Sequence, residues 1–258
     1  APSTHILKQS HVRLKKIVAN EQLCLLTARK LGIRTPDSFI INLNDKEDDF
    51  LFATERYDRK ILDTSKELMG KKVPLRLHQE DFAQALGITA SQKYEKNGKD
   101  YLADVFELIK NYSSNPIEDQ IRLWDLCIFN YLIGNTDNHV KNIALLYSED
   151  LKGIRLAPAY DLLSTVIYDS STEKMSLNID GEYDIRNINQ KSFENEAKKL
   201  GLGKGIATQH FLSMVEKFEM ALEQSTYELE EQGYGVAVDI QKQILKKAGI
   251  HNFKLTNP

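Results

Sequence analysis

The sequence predicts an α+β fold with a small β-rich N-terminal part and a larger, mainly helical C-terminal part. Before Arg59, short runs of strand type surround a single segment of helical periodicity. After Leu75, longer segments with helical spacing predominate, and no internal repeat is visible. We therefore expect an N-terminal part over residues 1–65 and a C-terminal part over residues 66–258.

The N-terminal part is predicted to run strand, helix, strand, strand. Thr4–Lys8 ("THILK") is a short run of β type that ends in a lysine. The segment "KKIVANEQLCLLTARKLG" predicts an amphipathic helix that stops at Gly32, with Pro36 beyond it. Two further strands, "SFIINL" and "DFLFATERYD", are expected to be joined by the polar turn "NDKED".

Three helices are predicted at the start of the C-terminal part. They are "HQEDFAQALG", "KDYLADVFELIKNYS" and "NPIEDQIRLWDLCIFNYLIG". In the third helix we expect Asn115 to cap the start, Pro116 to take the first position, and Gly134 to end it. The residues expected along its buried face are Ile117, Ile121, Trp124, Ile128 and Tyr131.

Two hairpins and a helical tail complete the predicted architecture. The runs "NIALLYS" and "GIRLAPAYD" can pair across "EDLKG". The segment "KMSLNIDGEYDI" contains an Asp-Gly pair, which is typical of a tight hairpin turn. From about Ser192 onward the spacing of apolar residues predicts helices.

Composition excludes several classes of protein. The chain has 258 residues, of which 41% are hydrophobic and 28% are charged, as in ordinary globular domains. A net charge of -3 argues against direct nucleic-acid binding, and the apolar runs are too short to span a membrane. No signal peptide opens the sequence, and Cys24 and Cys127 lie in apolar helical patterns, so we expect a reducing, cytoplasmic setting.

Polar residues are concentrated in the segment "GNTDNHVKN", which follows the third predicted helix and is called the polar loop below (Gly134 to Asn142). Asp137 and Asn142 form the pattern D-x-x-x-x-N. In phosphoryl transfer such an Asp orients or accepts the proton of the attacking hydroxyl, and such an Asn reaches Mg²⁺. A second metal carboxylate is expected at the end of a downstream strand, where "LAPAYDLLST" supplies Asp161.

Further candidates lie on the same loop and in the N-terminal part. His139 and Lys141 can face a phosphate or hold the shape of the polar loop. Lys8 at a strand end and Glu21 on the following helix suit the pairing of a phosphate-binding lysine with a helix glutamate. The segment "ERYDR" closes the last N-terminal strand, where its backbone could read an adenine edge. The order of these features along the chain (lysine, helix glutamate, "ERYDR", the D-x-x-x-x-N pattern, Asp161) indicates a kinase more specifically than any one feature alone.

These residues resemble the HipA family of bacterial toxin kinases. The matching segments, in family order, are "STHILK", "ANEQLCLLTARKLG", "ERYDR", "RLHQEDFAQALG", "KYE", "LIGNTDNHVKNIALLY" and "LAPAYDLLST". The resemblance extends from the first residue to about Thr165. It implies a bilobal, protein-kinase-like fold with a small β-rich N-lobe and a larger helical C-lobe. It also implies Ser/Thr protein kinase activity with ATP and Mg²⁺, with Lys8 at the nucleotide phosphates.

The resemblance also implies roles for individual residues and for partners. Asp137 would be the catalytic base, Asn142 and Asp161 would hold the metal, and Glu55 and Tyr57 would flank the adenine. Family members phosphorylate aminoacyl-tRNA synthetases, such as those for glutamate and tryptophan, and thereby arrest growth. A cognate antitoxin restrains the kinase, so contact with DNA is expected only through that antitoxin.

Two family features are missing from the sequence. A glycine-rich phosphate loop precedes the lysine strand in the family and carries an autophosphorylated serine, whereas Ala1 stands only seven residues before Lys8. We expect that loop to lie outside the sequence given. An additional N-terminal subdomain of classical members is also missing, which suits short toxins that have it as a separate partner and equally suits a truncated long member.

Two other functions remain open from the sequence. Small-molecule kinases also use the pattern D-x-H-x-x-N, which is present as Asp137, His139 and Asn142. Such an enzyme would need an acidic pocket for a cationic substrate. An interaction module, either a pseudokinase that binds ATP without turnover or an antitoxin-bound protein that acts by titration, would explain the missing glycine-rich loop.

Overall fold

A three-stranded antiparallel sheet opens the chain in the computed structural model, which describes residues 3–10, 16–43, 50–95 and 98–254. Its strands are β1 (His5–Gln9), β2 (Ser38–Asn42) and β3 (Phe50–Glu55), in the order β1-β3-β2. Lys8 on β1 lies opposite Phe52 on the central strand. The three predicted strands are thus confirmed, while the predicted "NDKED" turn lies outside the described residues.

Helix α1 (Ile17–Lys30) connects β1 to β2 and ends, as predicted, before Gly32. The predicted amphipathic character is wrong, because every residue from Val18 to Ala28 is buried. The N-terminal sheet covers one side of α1, and helices from the C-terminal end of the chain cover the other. Helix α1 is therefore a central element of the core.

Short strands follow where the boundary between the two parts was predicted. They are β4 (Arg59–Lys60), β5 (Glu67–Leu68), β6 (Lys71–Lys72) and β7 (Leu75–Arg76), and they pair as β4 with β7 and β5 with β6. The division of the chain into residues 1–65 and 66–258 stays a prediction.

The segment "HQEDFAQALG" is helical only in part. Gln79–Asp81 forms strand β8, and helix α2 covers only Phe82–Ala85. Asp81 caps α2, because its carboxylate accepts a hydrogen bond from the backbone N–H of Gln84. The helical prediction failed for the first residues because β8 is paired in a sheet with a strand far along the chain.

Helices α3 (Tyr101–Tyr112) and α4 (Pro116–Ile133) confirm the next two predictions, and Gly134 ends α4 with a positive φ of 68°. The predicted buried face is wrong at its first position, since Ile117 is 77% exposed. Asp119 is buried there instead. Asn115 precedes α4 but caps no backbone N–H; its side-chain amide donates to Glu118.

The predicted hairpins both form. Strands β9 (Ala144–Tyr147) and β10 (Ile154–Leu156) pair with each other, and β9 also pairs with β8. Strands β11 (Lys174–Ile179) and β12 (Glu182–Asp184) are joined by Asp180 and Gly181, which have positive φ values of 57° and 78°. Two positive φ angles in succession are the reason that Asp-Gly is favoured in such turns.

The helical tail consists of α5 (Gln190–Lys199), α6 (Lys204–Glu231), α7 (Val236–Lys247) and α8 (His251–Lys254). One hydrophobic core joins the N-terminal sheet, through Phe52 and α1, to α4 and α6. Cys24 and Cys127 are free and buried in it, in keeping with the apolar helical patterns around them. Within the described ranges, no helix is both long and apolar enough to cross a membrane.

Candidate active site

Lys8 is the point at which three distant segments meet. Its ammonium Nζ lies 2.7 Å from Glu21 Oε1 on α1 and 2.7 Å from Asp161 Oδ1, five residues after β10. The contact with Glu21 is the one expected from the sequence, because phosphate-binding lysines of kinases pair with a helix glutamate. The contact with Asp161 joins residues 153 positions apart and was not predicted.

Burial sets the electrostatics of this trio. The Glu21 carboxyl is almost completely buried, and burial raises its pKa to about 7 although the Lys8 charge opposes the shift. Burial alone would lower the pKa of Lys8, but attraction by Glu21 and Asp161 outweighs it and the net pKa is raised. Lys8 therefore stays charged over the whole physiological range.

A cavity of about 170 Å³ opens beside Lys8 and is called the Lys8 cavity. The two residues expected near the adenine both line it. Glu55 is exposed, and Tyr57 is largely shielded because its ring stacks on Tyr160 with centroids 5.8 Å apart. The Tyr57 hydroxyl donates to the side chain of Gln79, which closes one wall. Apolar residues of the sheet and of α1, such as Ile6, Leu25 and Phe52, line it together with polar and charged side chains, among them Arg56 and Asp58.

The polar loop is held by its own hydrogen bonds. The carbonyl oxygen of Asp137 accepts from the backbone N–H of His139 at 2.8 Å and from Asn142 Nδ2 at 3.1 Å. The Asp137 carboxylate accepts from the Tyr94 hydroxyl at 2.8 Å. Asp137 and Asn142 are thus brought together through the peptide of Asp137, as the D-x-x-x-x-N spacing suggests.

The two other loop candidates differ in their surroundings. His139 is buried, burial lowers its pKa, and its ring Nδ1 has no hydrogen-bond partner within the described part of the chain. Lys141 Nζ lies 2.9 Å from Asp81 Oδ2, the residue that caps α2. Of the two interpretations offered for Lys141, this ion pair favours a role in holding the loop, since the ammonium is already neutralised.

Oxygen atoms suited to a hard divalent cation remain on Asn142 and Asp161. Asn142 uses its Nδ2 toward Asp137, and Asp161 uses Oδ1 toward Lys8. In the described ranges, neither Asn142 Oδ1 nor Asp161 Oδ2 accepts a hydrogen bond. No cluster of three or more His, Cys, Asp or Glu in those ranges could hold a metal by itself. One amide and one carboxylate oxygen fit Mg²⁺, which keeps several waters and takes phosphate oxygens as further ligands.

A second cavity, of about 630 Å³, is lined by Asp137 and is called the Asp137 cavity. Its walls are rich in hydroxyl groups and include one lysine and one buried carboxylate. The polar side chains that line it are those of Tyr94, Glu95, Thr136, Asp137, Thr165, Tyr168, Ser170, Ser171, Thr172, Lys174, Ser176 and Tyr183. Asp137 therefore stands where a hydroxyl-bearing molecule in this cavity could reach it.

Sequence reasoning missed four residues that support the predicted ones. Tyr94 contacts Asp137, Gln79 and Tyr160 hold Tyr57, and Asp81 holds Lys141. The only signal in the sequence was that these residues fall in the segments "KYE", "HQEDF" and "LAPAYD", which carry the family resemblance. Their contacts join distant positions, and no local pattern reveals them.

Comparison with known proteins identifies relatives over most of the chain. The serine/threonine-protein kinase toxin HipA of Shewanella oneidensis is 27% identical over 231 residues, covering 85% of this chain and 50% of that protein. The protein Y4mE of Sinorhizobium fredii is 33% identical over 214 residues, covering 83% of this chain and 48% of that protein. The chain thus spans about half the length of these relatives.

A solved structure and a family model complete the comparison. The toxin–antitoxin complex of HipA, HipB and operator DNA from Shewanella oneidensis contains a chain that superposes with a TM-score of 0.79 at 24% identity. The match covers 95% of this chain and 57% of the other, and it confirms the expected kinase-like α+β fold. Residues 1–224 match the family model described as HipA-like C-terminal domain. The resemblance inferred from the sequence is therefore confirmed, and the chain belongs to the HipA-like C-terminal domain family.

Proposed function

We propose that the chain is the catalytic part of an ATP-dependent Ser/Thr protein kinase, a toxin of a toxin–antitoxin system. The observation that carries this proposal is the double contact of Lys8 with Glu21 and Asp161. Protein kinases place a strand lysine against a helix glutamate and against the phosphates, beside a metal-binding aspartate. Here the same three residue types, from three separate segments, meet at one ammonium group.

The proposed nucleotide site is the Lys8 cavity. Its apolar walls and the side chains of Glu55 and Tyr57 suit the adenine end of ATP. Lys8 and Asp161 line the same cavity, and in this proposal they face the phosphates together with Asn142, where Mg²⁺, when bound, would neutralise phosphate charge. Glu21 orients Lys8, because its buried carboxylate faces the ammonium at 2.7 Å.

Asp137 is the proposed base. Phosphoryl transfer forms a bond between the acceptor hydroxyl oxygen and the γ-phosphorus of ATP and breaks the bond to the β–γ bridging oxygen, so that ADP leaves. The hydroxyl proton passes to the Asp137 carboxylate. The adjacent Asp137 cavity is large enough for a peptide segment that presents a serine or threonine.

Substrate and partner follow from the family and are part of the proposal. We expect the acceptor to be an aminoacyl-tRNA synthetase, whose phosphorylation would stop tRNA charging and growth. We expect a cognate antitoxin as partner, because the HipA relative was solved with HipB and operator DNA. Any contact with DNA would then be made by the antitoxin, since this chain has a net charge of -3.

Labelling with γ-labelled ATP and Mg²⁺ in a host-cell lysate tests the proposal. Three forms of the intact gene product are compared: the unmodified protein, Asp137→Asn, and Asp239→Asn, whose carboxylate is exposed on α7. We expect a labelled band of synthetase size with the first and third forms. Its intensity should fall by about 10²–10⁴ with Asp137→Asn, the range for loss of a general base.

Further measurements on the same proteins distinguish a protein kinase from a small-molecule kinase and a pseudokinase. Acid hydrolysis of the band should release phosphoserine or phosphothreonine, and mass spectrometry should identify a synthetase. Asp161→Asn should weaken ATP binding in the presence of Mg²⁺, whereas Asp137→Asn should not. Equal labelling by the unmodified protein and Asp137→Asn would refute the role of Asp137. ATP consumption without a labelled protein would point to a small-molecule kinase, and binding without consumption to a pseudokinase.

A further inference from the structure

The segment Lys93–Glu95 ("KYE") reaches the polar loop from outside it. The Tyr94 hydroxyl donates to Asp137 Oδ1 at 2.8 Å, and the Tyr94 ring meets the His139 ring edge-on with centroids 5.3 Å apart. Lys93 Nζ lies 4.8 Å from the centre of the Tyr94 ring. Tyr94 therefore contacts both the carboxylate and the imidazole of the loop, although it lies 43 positions away from Asp137 in the sequence.

Glu95 fixes this segment to the body of the protein. Its carboxylate is buried and accepts hydrogen bonds from the backbone N–H of Tyr101 at 2.5 Å and from Asn178 Nδ2 at 2.6 Å. The backbone N–H of Asn178 also donates to it at 2.8 Å. Hydrogen bonds to a charged acceptor are among the stronger ones in proteins. The residue beside Tyr94 is thus anchored to α3 and β11, which restrains the backbone from which the phenol extends.

The two oxygens of Asp137 are consequently different. Oδ1 is bonded to Tyr94, while Oδ2 accepts no hydrogen bond from any residue that the structure describes. A carboxylate that takes the proton of an acceptor hydroxyl needs one unblocked oxygen and a fixed orientation. The bond to Tyr94 restricts rotation of the carboxylate and leaves Oδ2 without a hydrogen bond from the described residues. Both residues line the Asp137 cavity.

We propose that Tyr94 is a positioning residue for Asp137: its hydroxyl fixes one carboxylate oxygen so that the other can meet the acceptor hydroxyl. This proposal rests on the proposed function, in which Asp137 is the base. The phenol itself does not exchange a proton in the reaction, since burial and the nearby Asp137 carboxylate raise the pKa of Tyr94 to about 12. Tyr94 remains a donor throughout.

Tyr94→Phe tests the proposal because it removes only the hydroxyl and keeps the ring against His139 and Lys93. We expect kcat for protein phosphorylation to fall about 10- to 100-fold, the loss that follows removal of one hydrogen bond to a charged group. The KM for ATP should stay unchanged, since Tyr94 does not line the Lys8 cavity. The melting temperature should also stay unchanged, because Tyr94 is 45% exposed.

Tyr227→Phe is the matched control, since Tyr227 is 63% exposed on α6 and lines neither cavity. Tyr94→Leu, which also removes the ring, distinguishes the role of the hydroxyl from that of the ring. If only the ring matters, Tyr94→Phe keeps full activity and Tyr94→Leu loses it, and the proposal is overturned. A rise in kcat with Tyr94→Phe would also overturn it, because Tyr94 would then be competing with the acceptor. An unmodified protein that labels nothing would instead defeat the proposed function itself, and this proposal with it.

Discussion

Asp119, at the start of α4, is the residue for which the structure makes the most definite stability prediction. Its side chain is fully buried and accepts hydrogen bonds from Ser113 Oγ at 2.6 Å, Arg122 Nη1 at 2.9 Å and Arg155 Nε at 2.9 Å. The backbone N–H of Leu156 donates to it as well, at 2.9 Å. One carboxylate thus joins α4 to strand β10, which leads to Asp161.

We expect Asp119→Asn to lower the free energy of unfolding by about 3 kcal/mol, the low end of the range for breaking a buried ion pair. The substitution keeps the shape but removes the charge and one acceptor oxygen, so that Arg122 is left largely buried without a counter-charge. Several donors share the carboxylate, and their contributions do not add. Arg155 is partly exposed, so water can solvate its guanidinium when the Asp119 charge is removed. For this reason we do not expect a loss in unfolding free energy at the upper end of that range.

Urea denaturation of the unmodified protein and the variant measures this difference. Glu118→Gln is the matched control, since Glu118 contacts the same Arg155 at 2.8 Å but from the surface. Its loss should cost between about 0 and 1 kcal/mol. If Asp119→Asn lowers the free energy of unfolding no more than this control, the buried network around Asp119 does not stabilise the fold.

The pH dependence provides a second check on Asp119. Burial raises the pKa of this carboxyl, but the hydrogen bonds from Arg155 and Ser113 outweigh burial, and the net pKa is lowered. A lowered pKa in the folded state means that the contribution is present above the unfolded pKa of about 3.9 and is lost as the pH falls through the folded pKa. The difference between the unmodified protein and Asp119→Asn should therefore shrink in acid.

Two further predictions concern Glu21 and Gly134. The folded pKa of Glu21, about 7, lies above its ordinary value of 4.5, so its contribution is complete below 4.5 and is lost as the pH rises through 7. The unfolding free energy of the unmodified protein relative to Glu21→Gln should thus fall by on the order of 3 kcal/mol from acid to neutral pH. If urea titrations give the same difference at both pH values, the pKa of Glu21 is not raised in the folded state. Gly134→Ala should lower the free energy of unfolding by about 2–4 kcal/mol in the same assay, because its Cβ would lie 2.3 Å from Val166 Cγ1 at a φ of 68°. Gly233→Ala is the control for backbone strain alone, since Gly233 has a φ of 90° and open space around it.

Local patterns predicted the elements whose cause is local. The Asp180–Gly181 turn, the end of α4 at Gly134 and the two strands beside α1 follow from residues next to one another, and they form as predicted. The failures arose where a distant partner decides the outcome. Gln79–Asp81 is a strand because it pairs with β9, and Asp119 takes the buried place expected for Ile117 because two arginines surround it.

The candidate site shows the same division. The spacing of Asp137 and Asn142 predicted that they share a loop, and the order of Lys8 and Glu21 predicted a pair. The contacts of Lys8 with Asp161 and of Tyr94 with Asp137 span 153 and 43 positions. Such contacts depend on how the sheet, α1 and the polar loop pack together, which no single stretch of sequence encodes.

The ties between the polar loop and the segment after Asp161 have a mechanical consequence. The carbonyl oxygen of Gly134 accepts from the backbone N–H groups of both Thr165 and Val166, and Asn135 Nδ2 donates to the Asp161 carbonyl at 3.3 Å. The segments that carry Asp137 and Asp161 are therefore hydrogen-bonded to each other, which restrains the separation of the two residues. Lys8 lies on β1 of the N-terminal sheet, so its distance from Asp161 is the quantity that would register any movement of that sheet relative to the aspartate segments. The distance between two spectroscopic labels placed across the Lys8–Asp161 contact would report such a movement. The distance between two labels on the two aspartate segments would stay constant.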